Sequence, residues 1–131
     1  MNSAPHALIL FAHGARDPDW RRPLDALAQR MRAAHPDGLV SVAFLELMVP
    51  LLAEAIDQAV ARGARRISVA PVFWAAGGHL KRDVPQLLEV ARARHPGVVI
   101  GLWPALGESD AVLDAIAGVY LRQWDAGSPA G

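Results

Sequence analysis

Ile67-Ser68-Val69-Ala70-Pro71-Val72-Phe73 is short, apolar and rich in β-branched residues, and Gly77-Gly78-His79-Leu80-Lys81-Arg82-Asp83 follows closely behind it. The first stretch predicts a buried strand. The two glycines predict a sharp backbone turn where side chains would clash, which places His79 in the loop at the carboxyl end of that strand. Open α/β sheets bind their ligands at that edge. Histidine is also the commonest metal ligand and the side chain that titrates nearest neutral pH. A single loop histidine is ordinarily just solvated, so what matters is which other strands deliver partners to the same edge.

Working outward, Ala7–Ala12 is another continuous apolar run, the pattern of a strand covered on both faces. His13-Gly14-Ala15-Arg16-Asp17-Pro18 follows, and Asp17-Pro18 reads as an N-cap with proline in the first helical turn. A helix is expected to about Ala34, with Leu24, Leu27, Ala28 and Met31 on one face and an irregularity at Pro23. Leu39–Leu45 is the second predicted strand, followed by Glu46. A helix from about Pro50 carries Leu51, Leu52, Ala55, Ile56, Ala59 and Val60 at helical spacing, with Gly63 as its stop. After the third strand, Asp83 and Pro85 mark a helix start, unless the helix begins earlier and runs through the proline. Val98–Leu102 is the fourth strand. Ser109 caps a last helix to about Trp124, so that 1–125 form one domain and 126–131 a flexible tail.

Strand and helix alternate throughout. The expectation is a single doubly wound α/β domain: a four-stranded parallel sheet in the order 2-1-3-4 with helices on both faces. His35-Pro36 and His95-Pro96 close two of the helices, which suits histidine at a helix dipole's negative end and proline beyond it. They are read as structural, as is His6.

Composition narrows the function. The chain has 131 residues, 13 basic and 13 acidic, so bulk charge argues against a nucleic-acid or anionic-membrane partner. It has no cysteine, which excludes a disulfide framework and thiolate chemistry. No apolar run is long enough to span a membrane, and a cytoplasmic setting is expected. No phosphate-binding glycine loop of either standard pattern is present, so no nucleotide is expected.

In the order 2-1-3-4, His13, Glu46 and His79 emerge from three strands at one edge, with His13 and His79 flanking the switch point. Two imidazoles and a carboxylate suit divalent iron, cobalt, nickel or zinc and leave coordination positions open. Arg16, Arg21, Arg22, Lys81 and Arg82 gather at the same edge, which suggests an anionic ligand, although a solvated helix start explains them equally well. Phe73 and Trp74 are read either as core or as a flat apolar wall for a planar ligand. From the residues alone, an iron oxygenase and a metal carrier remain open beside any other metal chemistry.

Three motifs in chain order carry a resemblance. His13-Gly14-x-Arg16-Asp17-Pro18, Phe44-Leu45-Glu46 and Gly77-Gly78-His79-x-Lys81-x-Asp83 resemble those of the small sirohydrochlorin cobaltochelatases of the CbiX type, in the class II chelatase family. Iron-inserting sirohydrochlorin chelatases share them. Ala15 departs from the pattern, since relatives usually carry serine there. The resemblance implies an enzyme that inserts a divalent cation, Co2+ foremost, into sirohydrochlorin in cobalamin (vitamin B12) biosynthesis. The alternatives are iron insertion for sirohaem, with Ni2+ a further candidate ion, or a protein that only holds metal or tetrapyrrole. It further implies that His13, His79 and Glu46 handle the metal, which is substrate and not cofactor. Arg16, Lys81 and Arg82 would meet substrate carboxylates, with Trp74, Gly77 and Gly78 beside the ring. Longer relatives hold two copies of such a domain, so a homodimer is expected here, with Leu47, Met48, Val49 and Trp74 as contacts.

Overall fold

The computed structural model describes residues 4–75 and 77–127, the side chain of His79 excepted. Its elements are β1 (His6–Ala12), α1 (Arg22–Ala34), β2 (Leu39–Phe44), α2 (Leu52–Ala61), β3 (Arg66–Pro71), α3 (Gly78–Arg94), β4 (Val99–Leu102) and α4 (Asp110–Asp125). Short 3-10 turns precede α1 at Pro18–Arg21 and α4 at Leu106–Glu108. The four strands are parallel, in the expected order β2-β1-β3-β4.

Register sorts the side chains into two layers, because residues paired across parallel strands point to one face. Ala7 pairs with Ile67, and Ile67 with Ile100. These join Ile9, Phe11 and Val69 in a core closed by α2 (Leu52, Ala55, Ile56, Ala59) and α3 (Val84, Leu88, Ala91). On the opposite face Leu8, Leu10, Ala12, Val42 and Phe44 meet Leu24 and Ala28 of α1, with Leu27 and Met31 packed alongside. α1 thus buries the face its spacing indicated. Leu51 departs from the expected face of α2: it is the exposed residue just before the first helical turn.

Local signals settle most boundaries. Asp17 accepts a hydrogen bond from Asp19 N, but the element it caps is the 3-10 turn; α1 itself starts at Arg22, with Pro23 in its first turn. Ser109 Oγ accepts from Val112 N and caps α4. His35 and His95 are C-caps, their backbone N–H groups bonded to Met31 and Ala91. His95 also meets Asp57 at 2.6 Å. His6 is tied to Ser68 Oγ at 2.8 Å. All three keep their structural reading.

Three expectations are corrected. β3 ends at Pro71, so Val72 and Phe73 lie beyond the strand; Phe73 packs edge-to-face on Phe11, ring centroids 5.4 Å apart. α3 begins at Gly78 and runs through Pro85, which puts His79 in a first helical turn instead of a loop. Gly77 and Gly78 are not demanded by sterics either. Gly77 has φ −70°, and a Cβ on either glycine meets nothing within 4 Å. Of the expected tail, 128–131 lie outside the described residues.

Candidate metal site at the carboxyl edge of the sheet

The β1–β2 ladder runs past the ends of both strands. Leu45 N donates to Ala12 O at 2.9 Å and Glu46 N to His13 O at 3.1 Å, holding the two loops side by side. The chain then reverses at Leu47 (φ 67°), with Met48 N bonded to Glu46 O at 2.8 Å. A bond between residues two apart around a positive-φ centre is the rare, strained form of three-residue turn. Such strain costs about 1–3 kcal/mol and clusters at functional sites.

Gly14 makes this approach feasible. Its φ is +98°, and a Cβ there would stand 1.9 Å from the Glu46 carbonyl oxygen. Here glycine is required twice, by its backbone angle and by the neighbouring chain. The sequence signal was the Gly after His13; what it is for becomes visible only once β2 lies alongside.

These backbones bring two predicted residues together. His13 Nε2 and Glu46 Oε1 are 3.0 Å apart, and both side chains are about half exposed, at 51% and 56%. An exposed pair of this kind contributes about 0–1 kcal/mol to stability, so folding does not require it. Its geometry suits a cation. Two donors about 2.1 Å from a common divalent ion, at a right angle to it, stand about 3.0 Å apart. An ion shared by the two would stand about 1.5 Å off the N–O line, so the half-exposed imidazole has to turn toward it as the proton leaves. The third expected member, His79, lies at the start of α3 behind β3, the strand next to β1; its side chain is outside the described residues. Among the described residues no group of three or more His, Cys, Asp or Glu is gathered for a metal.

The cations divide. Arg21 makes two bonds to Asp25, at 3.0 and 3.1 Å, and lies over the Phe44 ring at 4.8 Å, so it fastens the start of α1 to the end of β2. Arg22 pairs with Asp19. Both are structural. Arg16, Lys81 and Arg82 are exposed and make no side-chain hydrogen bond or ion pair among the described residues. Trp74 is 64% exposed, in contrast to half-buried Phe73, so only Trp74 offers an apolar wall. Leu47 and Val49 are exposed as well, whereas Met48 is partly buried against the α1 core.

Sequence reasoning missed two features at this edge. Phe73, Leu80, Val84, Trp103 and Pro104 line a recess of about 220 Å³, with Lys81 and Glu108 on its rim. A Cβ on Gly107 would stand 1.9 Å from the Trp74 carbonyl oxygen, so the turn before α4 is locked against the loop that carries Trp74. Leu106 N donating to Phe73 O at 3.1 Å fastens it further. Neither feature carries a local signature, because each joins segments distant in sequence.

A family model described as CbiX matches residues 7–121. The chain is 36% identical over 89 residues to a sirohydrochlorin cobaltochelatase of Methanocaldococcus jannaschii, covering 68% of this chain and 62% of that protein. It is 34% identical over 82 residues to that of Methanococcus aeolicus, covering 63% and 57%. The matched stretch thus spans about six tenths of the curated relatives' length. Among solved structures, a CbiX protein of Marinobacter aquaeolei VT8 superposes with TM-score 0.81 at 33% identity, covering 93% of this chain and 99% of that one. The sirohydrochlorin chelatase SirB of Bacillus subtilis, in complex with cobalt, gives 0.77 at 26%, covering 92% of this chain and 50% of SirB.

Proposed function

Because the chain belongs to the CbiX family, we propose that it inserts a divalent metal ion, Co2+ foremost, into sirohydrochlorin in cobalamin (vitamin B12) biosynthesis. The observation that carries the reading is the exposed His13–Glu46 pair, whose 3.0 Å separation matches the bite of a divalent ion. The incoming metal, itself a substrate, is taken up by His13 and Glu46, with His79 approaching from the neighbouring strand end. Imidazole and carboxylate are exchangeable ligands, so they surrender the ion to the four ring nitrogens as it enters. Insertion releases two pyrrole N–H protons, and Glu46 and the freed imidazole are the bases at hand.

Arg16, Lys81 and Arg82, unpaired among the described residues, receive substrate carboxylates as charge-assisted donors, and Trp74 provides a flat contact for the macrocycle. Gly77 and Gly78 lie beside the ring, where a Cβ on either would meet nothing within 4 Å. No nucleotide, nucleic acid or membrane takes part. Among the described residues no helix is long and apolar enough to cross a membrane, and a cysteine-free chain suits the cytoplasm, where disulfides are not maintained. The working form is a homodimer. The recess of about 220 Å³ is smaller than the 300–1,000 Å³ typical of a site that encloses its ligand. A second copy facing the first supplies the missing wall.

The deciding experiment mixes the protein with sirohydrochlorin and, in turn, Co2+, Fe2+ and Ni2+, following the absorption bands of the macrocycle. Metal-dependent conversion by the wild type, abolished in folded His13→Ala, is expected. Conversion no faster than the uncatalysed background with all three ions would overturn the proposal, as would metal-dependent oxygen consumption in place of insertion. Faster conversion with Fe2+ than with Co2+ would move the protein to the sirohaem branch.

A further inference from the structure

Among the described residues, Gly14, Gly63, Gly97 and Gly127 have a left-handed backbone, and so does Leu47, at φ 67°. Glycine takes up such angles freely and asparagine or aspartate tolerates them, whereas a side chain as bulky as leucine is an outlier there. Wherever else the angle occurs among these residues the chain supplies glycine. Leucine at 47 needs a reason.

Folding does not supply one. Leu47 is 56% exposed and belongs to neither layer of the core. Its turn is held by other groups: Phe44 N donates to Pro50 O at 2.9 Å, Leu51 bridges back to Phe44, and Met48 packs against the α1 layer. Side chains alternate along this segment, with Leu47 outward, Met48 inward and Val49, 73% exposed, outward again. Leu47 therefore costs stability twice, through backbone strain and through apolar surface left in water. An exposed apolar residue alone is ordinary; one that also strains the backbone is not. Strain of this kind is kept at ligand clamps, where it is part of the mechanism.

The place of Leu47 indicates what covers it. It directly follows Glu46, so the two Cα atoms are about 3.8 Å apart. A wide, flat ring that collects an ion from the Glu46 carboxylate lies over the neighbouring residue as well. Leu47 and Val49 follow β2, exposed Trp74 follows β3, and His13 follows β1 between them. Adjacent strands are about 4.8 Å apart, so a ring centred above His13 and reaching roughly 5 Å to each side spans both apolar contacts. The segment is also held in place beforehand, by the backbone bonds of Leu45, Glu46 and Met48, so little ordering is left to pay on binding.

We infer that Leu47, with Val49 beside it, is an apolar seat for one face of the tetrapyrrole, presented by the left-handed turn next to the metal-binding carboxylate. The inference rests on the chelatase reading above and adds to it a contact that holds the ring and not the ion. Such a seat touches the face of the macrocycle and not its carboxylate arms. It contributes to affinity for the metal-free ring and is indifferent to Co2+.

Leu47→Asn tests it, since asparagine suits the left-handed backbone and removes the apolar surface. Metal-free sirohydrochlorin is titrated against tryptophan fluorescence and Co2+ by calorimetry, with Tm from circular dichroism and assembly from light scattering. The Kd for sirohydrochlorin should rise on the order of 10-fold, as for leaving about half of a leucine uncovered. Co2+ affinity should match the wild type, and Tm should be higher or within about 4 °C of it. Leu47→Met should recover most of the lost affinity. Wild-type affinity of Leu47→Asn for sirohydrochlorin would overturn the seat and leave the chelatase reading intact. A larger fall in Tm would make Leu47 a part of the fold, and dissociation of an assembled wild type would put a second copy over it; either would overturn the seat. A wild type that binds no sirohydrochlorin would overturn the insertion reading and the seat with it.

Discussion

Gly14→Ala probes the junction on which the candidate site rests. Alanine at φ +98° adopts a left-handed backbone, at a cost of about 1–2 kcal/mol. Its Cβ would begin 1.9 Å from the Glu46 carbonyl oxygen, where contacts below 3.0 Å are essentially never found, so the backbones must separate by about an ångström. That separation strains or breaks the Glu46 N to His13 O bond, worth about 0.5–1.5 kcal/mol. The sum is roughly 1.5–3.5 kcal/mol, and at about 4 °C per kcal/mol for a chain of this length Tm should fall by roughly 6–14 °C. The same displacement moves Glu46 away from His13, and a 1 Å misplacement of catalytic groups costs on the order of 100-fold in rate. Gly63→Ala is the matched control. Gly63 shares φ +98°, but a Cβ there meets nothing within 4 Å. It should lose only the backbone contribution, a few degrees, and retain full insertion activity. Thermal melts by circular dichroism and the absorption assay with sirohydrochlorin and Co2+ read both effects. Equal Tm values and equal rates for the two variants would refute the reasoning that Gly14 exists to admit the Glu46 backbone.

Glu46→Gln keeps shape and removes charge; the insertion rate should fall by about 10²–10⁴-fold while Tm moves by less than about 4 °C, since an exposed pair holds little stability. An unaltered rate would leave Glu46 without a part in the chemistry. Replacing Arg16, Lys81 and Arg82 together by glutamine should raise KM for sirohydrochlorin more than it lowers kcat and flatten the salt dependence of kcat/KM; steady-state kinetics at two ionic strengths checks this, and an unchanged KM would dismiss them as substrate contacts. His6 has its pKa lowered, first by burial and second by Arg66. Its unfolded form therefore takes up a proton first as pH falls below 6.5, and its contribution is to reduce stability between there and its lower folded value. Urea denaturation at pH 7.5 and 5.5 should show a smaller acid loss in His6→Gln than in the wild type, and an identical loss would contradict that direction.

Much of this molecule is written locally. Apolar runs such as Ala7–Ala12 can satisfy their side chains only in a sheet covered on both sides, and helical spacing through Leu24, Ala28 and Met31 or Leu52, Ile56 and Ala59 leaves one face to bury. Caps and stops at Ser109, Gly63, His35 and His95 depend on a few neighbouring residues. The order 2-1-3-4 is one of the common orders of a doubly wound sheet, and it sends His13 and Glu46 to the same edge. The boundary signal that misled, at Gly77-Gly78, was one where a local preference was outweighed by α3 packing onto the sheet through Val84, Leu88 and Ala91; of the two readings of Pro85, the helix that runs through it is the one found.

What the tertiary structure alone decided involves pairs of segments far apart in the chain. Arg16 and Arg21 are alike in sequence, but Phe44 and Asp25 claim Arg21 and leave Arg16 to solvent. Phe73 and Trp74 are adjacent aromatics, yet only Phe73 has Phe11 to pack against. Gly14 and Gly107 are indispensable because of carbonyl oxygens that other segments bring within reach. The amphipathic period of α4 is plain from residue to residue, since i, i+3 and i+4 side chains share a face in any helix. That this face stays exposed is a matter of tertiary structure: the turn before α4 is held at Gly107 against the Trp74 backbone, and no local spacing encodes that contact.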